Sequence, residues 1–195
     1  MSHRIITIGR EFGSGGRTIG REVAQKLGIP CYDQEIIERL AEASGFSPDY
    51  VAEKSEDTEN SSWTALAFSS THSLGVPSNQ DLLWTAQRKV IQEIGDKENC
   101  VIVGRCADVI LDGSADLLKV FIHADFEQRA KRIVEKYGVT EVPTAKRLRE
   151  KDKRRALYYQ FYTDREWGSI DHYHVVLDSG VLGIEKCVDV IVSLY

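Results

Sequence analysis

The residues with the plainest chemical meaning are Gly13, Ser14, Gly15, Gly16, Arg17 and Thr18, in the stretch Arg10-Glu11-Phe12-Gly13-Ser14-Gly15-Gly16-Arg17-Thr18. Glycines at this density let a backbone wind until several N–H groups point at one spot, and a helix beginning there adds its positive end. Arg17 can add a full charge. The chemistry is the binding of phosphate oxygens. The spelling departs from the standard G-x-x-x-x-G-K-[ST]. Laying Gly16-Arg17-Thr18 over its last three positions puts Glu11 at the first glycine and Arg17 at the lysine. A shift of one residue, to a G-S-G-K-G-T form, puts Gly16 at the lysine position with Arg17 after it. Either way the lysine is missing. The plainer alternative is an ordinary glycine-rich turn with Arg17 solvated. A dinucleotide-binding G-x-G-x-x-G fails, because Thr18 stands at its third glycine.

The elements that must position this loop follow from apolar periodicity. Before it lies a β-branched run, Arg4 to Ile8, with the signature of a buried strand; after it Ile19, Val23, Ala24 and Leu27 recur at helical spacing. Gly28-Ile29-Pro30 is a stop, Cys31-Tyr32 a short second strand ending at Asp33, and Gln34 to Ala43 an amphipathic helix. Ser47-Pro48 opens another short helix. From Lys54 to Asn79 polar residues dominate, with Trp63, Leu66, Phe68 and Leu74 out of period, which predicts a mobile insertion. Helix follows from Asp81 to Gly95, then a strand at Cys100–Val103 ending in Gly104-Arg105, and a third apolar strand at Leu117–Ile122. Helices are predicted from Asp125 to Lys136, Pro143 to Tyr162 and Gly183 to Leu194, with a last strand at Tyr173–Leu177. The alternation predicts an α/β fold, a parallel sheet covered by helices on both faces.

In such a sheet ligands gather beyond the carboxyl ends of the strands. The glycine loop, Asp33 and Arg105 should all project there. Asp33 alone would be a helix cap and Arg105 alone a partner for a carboxylate; but both project to the same edge as the loop, and an arginine there suits a second phosphate, whose oxygens its planar fork grips in pairs. A second concentration of charge comprises Arg129, Lys131 and Arg132, then Lys146, Arg147, Arg149, Lys151, Lys153, Arg154 and Arg155. Charged helices are usually solvated faces. In a chain of formal net charge −5, so local a cluster fits a lid of arginines closing over phosphates. No recognition-helix or RNA-binding signature accompanies it, so nucleic acid is not expected.

The 195 residues fit one domain with a full hydrophobic core. No apolar run reaches membrane-spanning length, and the first strand begins too early to leave room for a signal peptide, which predicts a cytoplasmic protein without membrane partners. Cys31, Cys100, Cys106 and Cys187 show no C-x-x-C pair and are expected as buried free thiols. Tyr158, Tyr159, Phe161, Tyr162 and Trp167 are expected as core or subunit contacts, and His123, His172 and His174 as structural residues. Nothing in the pattern specifies an oligomeric state.

Nearly end to end, the chain resembles the cytidylate kinase-like family, in the nucleoside monophosphate kinase branch of the P-loop kinases. The resemblance lies in G-R-E-F-G-S-G-G-R-T-I-G, Y-D-Q-E-I-I-E-R, V-I-V-G-R-C-A-D, H-A-D-F-E-Q-R-A-K-R and R-R-A-L-Y-Y-Q-F-Y with Trp167. It implies the three-layer P-loop kinase fold as a single domain over 1–195, with a helical acceptor-side insertion at about 45–95 and a lid-like basic region at about 129–165. It also implies ATP- and Mg²⁺-dependent phosphoryl transfer to a small acceptor such as CMP or dCMP. Gly13, Ser14, Gly15, Gly16, Arg17 and Thr18 would bind ATP, with Arg17 in place of the usual lysine and Thr18 near the metal. Asp33, Arg39 and Arg105 would serve the acceptor, Asp33 and Arg39 matching an Asp and Arg six residues apart that hold the acceptor nucleotide in cytidylate kinases. Arg129, Arg132, Arg154 and Arg155 would supply the arginines that neutralise charge during transfer. Cys106 replaces the Asp of the family's Gly-Arg-Asp. Two alternatives stay open: the same fold acting on a small hydroxylated metabolite, and a nucleotide-binding sensor without activity.

Overall fold

The computed structural model describes residues 3–54 and 78–195. The core is a five-stranded parallel sheet in the order β2-β3-β1-β4-β5, formed by β1 (Arg4–Arg10), β2 (Cys31–Tyr32), β3 (Cys100–Val103), β4 (Asp116–His123) and β5 (Val175–Asp178). β1 sits centrally, with Ile5–Ile8 in register with Cys100–Val103 on one side and Leu117–Val120 on the other. Because side chains alternate along a strand, its apolar residues feed two cores. Ile6 and Ile8 join Val101, Val103, Val120 and Ile122 under α1 (Gly16–Leu27) and α9 (Ile184–Ser193), which contribute Ile19, Val23, Val188 and Ile191. Ile5 joins Cys100 and Ile102 under α2 (Glu35–Ser44) and α4 (Asn79–Lys97), with Ile36, Leu40, Val90, Ile91 and Ile94, and under Tyr158 and Tyr159 of α7 (Thr144–Thr163). The predicted three-layer α/β architecture is present. A sheet covered on both faces explains why its strands show no polar alternation.

Among the described residues the remaining elements are α3 (Pro48–Lys54), α5 (Ala107–Ile110), α6 (Phe126–Tyr137), a 3₁₀ turn (Ile170–His172) and α8 (Ser179–Leu182). The sequence did not announce α5, the 3₁₀ turn or α8, which are too short to show a period. Residues 55–77, most of the predicted insertion with Trp63, Leu66, Phe68 and Leu74, lie outside the described residues. α4 begins before Asp81 because Ser78 caps it reciprocally: Ser78 Oγ accepts from Asp81 N at 3.2 Å while Asp81 Oδ2 accepts from Ser78 N at 3.1 Å. β5 begins at Val175 rather than Tyr173; just before it, His174 N donates to Lys119 O at 2.8 Å and its ring Nδ1 accepts from the Lys119 backbone N–H at 3.3 Å. The four cysteines are free thiols, three of them buried. No described helix is long and apolar enough to cross a membrane.

Close contact between α1 and the sheet sets how deeply the glycine loop is seated. At Gly20 a Cβ would lie 2.8 Å from Val103 Cγ2 and 3.3 Å from Ile8 Cδ1. Gly20→Val should therefore push α1 off the sheet and cost about 1–3 kcal/mol, seen as a lower urea midpoint with an unchanged slope.

Candidate active site

All five strands point their carboxyl ends at one edge, so their following loops gather there. β1 runs into the glycine loop, whose Gly13 and Gly15 sit at φ +82° and +84°, a region that side chains disfavour. α1 starts at Gly16, and its first N–H groups have no helical partner, leaving them for an anion. The loop is held from outside. Glu11 N donates to Ile122 O at 3.0 Å, Phe12 N to Asp152 Oδ1 at 2.7 Å, and Ser14 Oγ to Glu11 O at 2.9 Å. The Ser14 carbonyl accepts from Arg132 Nη1 at 3.0 Å and from the Ser179 hydroxyl.

Beside the loop lies a cleft of about 420 Å³, within the usual range for small-molecule sites. Gly13, Gly15, Gly16, Arg17 and Thr18 form one wall. Its charged lining is Arg10, Arg17, Arg132, Lys136 and Arg155 against the carboxylate of Glu135. In a chain of net charge −5, this concentrates positive potential where it can attract a polyanion.

Asp33 is buried, and its Oδ2 lies 2.6 Å from Arg17 Nε and 3.4 Å from Arg21 Nη2. The helix-cap alternative for Asp33 is not realised, since Gln34 occupies that position and makes no side-chain cap bond. Arg17 thus faces both the cleft and the acid that follows β2. After β3, Gly104, Arg105 and Cys106 have φ of 75°, 63° and 54°, three left-handed residues in succession. Such strain is held only where surroundings impose it. Gln87 Nε2 does so by donating to Arg105 O at 3.0 Å. Arg105, 5% exposed, lines a second cavity of about 30 Å³ with Arg10, Arg155, Asp108, Tyr159 and Trp167. Arg39, by contrast, is exposed over the Tyr32 ring, 5.0 Å from its centre, and lines neither cavity.

The four basic-helix candidates separate. Arg132 and Arg155 line the cleft, Arg132 also binding Ser179 O at 2.7 Å and Arg155 donating to Arg10 O at 3.1 Å. Arg154 is half-buried on the same helix as Arg155. Arg129 is buried away from the cleft: its Nη1 meets Asp152 Oδ2 at 2.5 Å and Phe12 O at 3.1 Å, and its Nε meets Ala124 O at 3.0 Å and Glu11 Oε2 at 3.3 Å. Its surroundings are those of a structural tie for the loop.

Sequence reasoning passed over Arg10, Asp108 and Gln87. Arg10 is the last residue of an apolar strand, and Asp108 and Gln87 lie on helices without any marked spacing. Asp108 is buried and accepts from the Tyr159 hydroxyl at 2.6 Å. Burial raises the Asp108 carboxyl above its ordinary 3.8, only partly opposed by the Tyr159 bond. The aromatic residues of α7 are mostly core, as expected: Tyr158 and Tyr159 are buried, Tyr162 packs against the same cluster, and Phe161 is exposed, while Trp167, beyond the helix, also packs against that cluster.

The sequence profile of the cytidylate kinase-like family matches residues 5–181. A cytidylate kinase of Archaeoglobus fulgidus is 28% identical over 192 residues, covering 96% of this chain and 92% of that protein. Among solved structures, an uncharacterized protein from Eubacterium ventriosum superposes with a TM-score of 0.74 at 26% identity, covering 98% of both chains. A shikimate kinase from Acinetobacter baumannii, solved with shikimate, superposes with a TM-score of 0.55 at 15% identity, over 100% of this chain and 93% of that one; this likeness concerns the fold.

Two outcomes follow from the geometry. Arg129→Ala strands the half-buried Asp152 carboxylate and should cost about 3–5 kcal/mol in denaturant unfolding, as for other broken buried pairs. Asp108 holds its proton more tightly folded than unfolded, so its contribution to stability is complete below about pH 3.8 and declines as pH rises through its folded value. Asp108→Asn should therefore gain in melting temperature relative to the parent as pH is raised from about 4 to 8.

Proposed function

We propose that this chain, which belongs to the cytidylate kinase-like family and has the P-loop kinase fold, transfers the γ-phosphoryl group of ATP to a nucleoside monophosphate, CMP or dCMP first among them. The observation that carries the proposal is the arginine-lined cleft built on the glycine loop. The cytidylate kinase name of its relative supports the choice of acceptor.

Phosphoryl transfer asks little covalent chemistry of the protein, which supplies position and charge compensation. The backbone amides from Gly13 to Thr18 receive the donor phosphates, and Arg17, lining the same wall, adds charge. Mg²⁺ takes oxygen ligands and keeps several waters, so a single hydroxyl plus phosphate oxygens suffices. Thr18, in the first turn of α1 and on the cleft wall, offers that hydroxyl. When bound, Mg²⁺ would neutralise charge on the donor phosphates.

Asp33, anchored by Arg17, orients the attacking acceptor oxygen or a metal-bound water. Arg105 holds the acceptor phosphate, and Arg39 reaches in from the exposed side of α2. Arg132 and Arg155 neutralise charge during transfer, with Arg154 behind them, while Arg129 keeps the loop in place. The α6–α7 pair carries this basic surface and acts as the lid.

The test is ADP release by the purified protein with ATP and Mg²⁺, across nucleoside monophosphates and small hydroxylated metabolites. CMP or dCMP should give the highest kcat/KM. A hydroxylated metabolite outpacing every nucleotide would move the acceptor to that class, and tight ATP binding without ADP release for any acceptor would make the protein a sensor. Arg17→Ala should lower kcat/KM by about a hundredfold or more; an unchanged rate would remove Arg17 from the mechanism.

A further inference from the structure

We infer that Arg10 performs the task of the missing loop lysine, projecting from the end of β1 across Gly16 to grip the donor phosphates. The inference deepens the kinase reading and rests on it. In the register G-x-x-x-x-G-K, with Gly15 as the second glycine, position 10 should be glycine and position 16 lysine. This chain has arginine at the first and glycine at the second. The structure shows that the two departures are one exchange. A Cβ on Gly16 would lie 2.5 Å from Arg10 Cβ and 2.9 Å from Arg10 Cγ. The stem of Arg10 therefore passes over the point from which a lysine would leave the helix, and any side chain there would displace it. Glycine at 10 with lysine at 16, or arginine at 10 with glycine at 16, each fills the space once.

A further observation places this cation on the path of transfer. Arg10 and Arg155 line both the 420 Å³ cleft and the 30 Å³ cavity that Arg105 borders. A group on the boundary between a donor cleft and an acceptor-side cavity is where a transferring phosphoryl group must pass. Arg10 is only 6% exposed, and its guanidinium keeps its charge at any working pH. Its planar fork can hold two phosphate oxygens together, which a lysine cannot.

The experiment compares the parent with Arg10→Gln, Arg10→Lys, Arg10→Gly, Gly16→Lys and the double variant Arg10→Gly/Gly16→Lys. The readouts are MgATP binding by equilibrium titration, ADP release with CMP, and melting temperature without nucleotide. Arg10→Gln should weaken MgATP binding at least tenfold and lower kcat/KM about a hundredfold, while Arg10→Lys keeps most of the affinity. Gly16→Lys alone should be impaired by collision with Arg10, and the double variant should recover at least tenfold in kcat/KM over Arg10→Gly. Unchanged MgATP affinity and rate in Arg10→Gln overturn the inference, as does a folded double variant no better than Arg10→Gly. If the double variant melts below the assay temperature, the Gln and Lys pair decides: equal losses in both overturn the inference, and rescue by Lys alone supports it. A parent that neither binds MgATP nor releases ADP would instead sink the kinase reading, and this inference with it.

Discussion

A glycine-rich loop cannot stiffen itself. Glycine loses more freedom on ordering than any other residue, so a loop that must hold its amides aimed at one spot has to be fixed by its neighbours. Here the main clamp is the pair of buried Arg129 and half-buried Asp152. Asp152 gives one carboxylate oxygen to Arg129 and the other to the Phe12 backbone N–H, while Arg129 takes the Phe12 carbonyl and the carbonyl of Ala124 after β4. Arg132 and Ser179 hold the far side through the Ser14 carbonyl. The loop is thus suspended between α6, α7 and the start of α8. Buried pairs seldom add much stability over an apolar pair, and their use in fixing a single arrangement is the better-attested one.

The same arrangement manages a concentration of like charge. Arginines gathered at one edge repel, and the protein answers by giving some of them permanent partners. Arg17 and Arg21 share Asp33, and Arg129 takes Glu11 and Asp152. Arg132 spends its fork on loop and Ser179 oxygens. The cleft nevertheless keeps a basic lining. Helix α7 and the loop are coupled because Arg155 donates to the backbone carbonyl of Arg10 and its guanidinium lies 5.8 Å from the Phe12 ring centre.

Much of the fold was legible because its signals are local and periodic. The apolar strands and the amphipathic helices α1 and α2 announce themselves by spacing, and their alternation implies a parallel sheet with one functional edge. Short elements such as α5 and α8 were not legible, because four residues are too few to show a period, and α8 depends on a cap set by the residue before it. Asp178, for example, accepts from Gly180 N and Val181 N to start α8. The strained turn at Gly104–Cys106 was equally hidden. Arginine and cysteine do not advertise left-handed backbone, and the restraint comes from Gln87 on a helix distant in sequence.

What the amino-acid order determined by itself was the set of parts: a glycine loop without its lysine, an acid after the second strand, an arginine after the third, and two basic helices. It could not say which arginine faces which oxygen, because arginines on neighbouring turns look alike until packing assigns each a partner. Only the tertiary structure decided that Arg129 pairs with Asp152 and Glu11, that Arg17 pairs with Asp33, and that the stem of Arg10 occupies the space above Gly16. Those outcomes depend on distances of a few ångströms between segments far apart in sequence. Local propensity carries no record of them, whereas close packing admits only one occupant for each space.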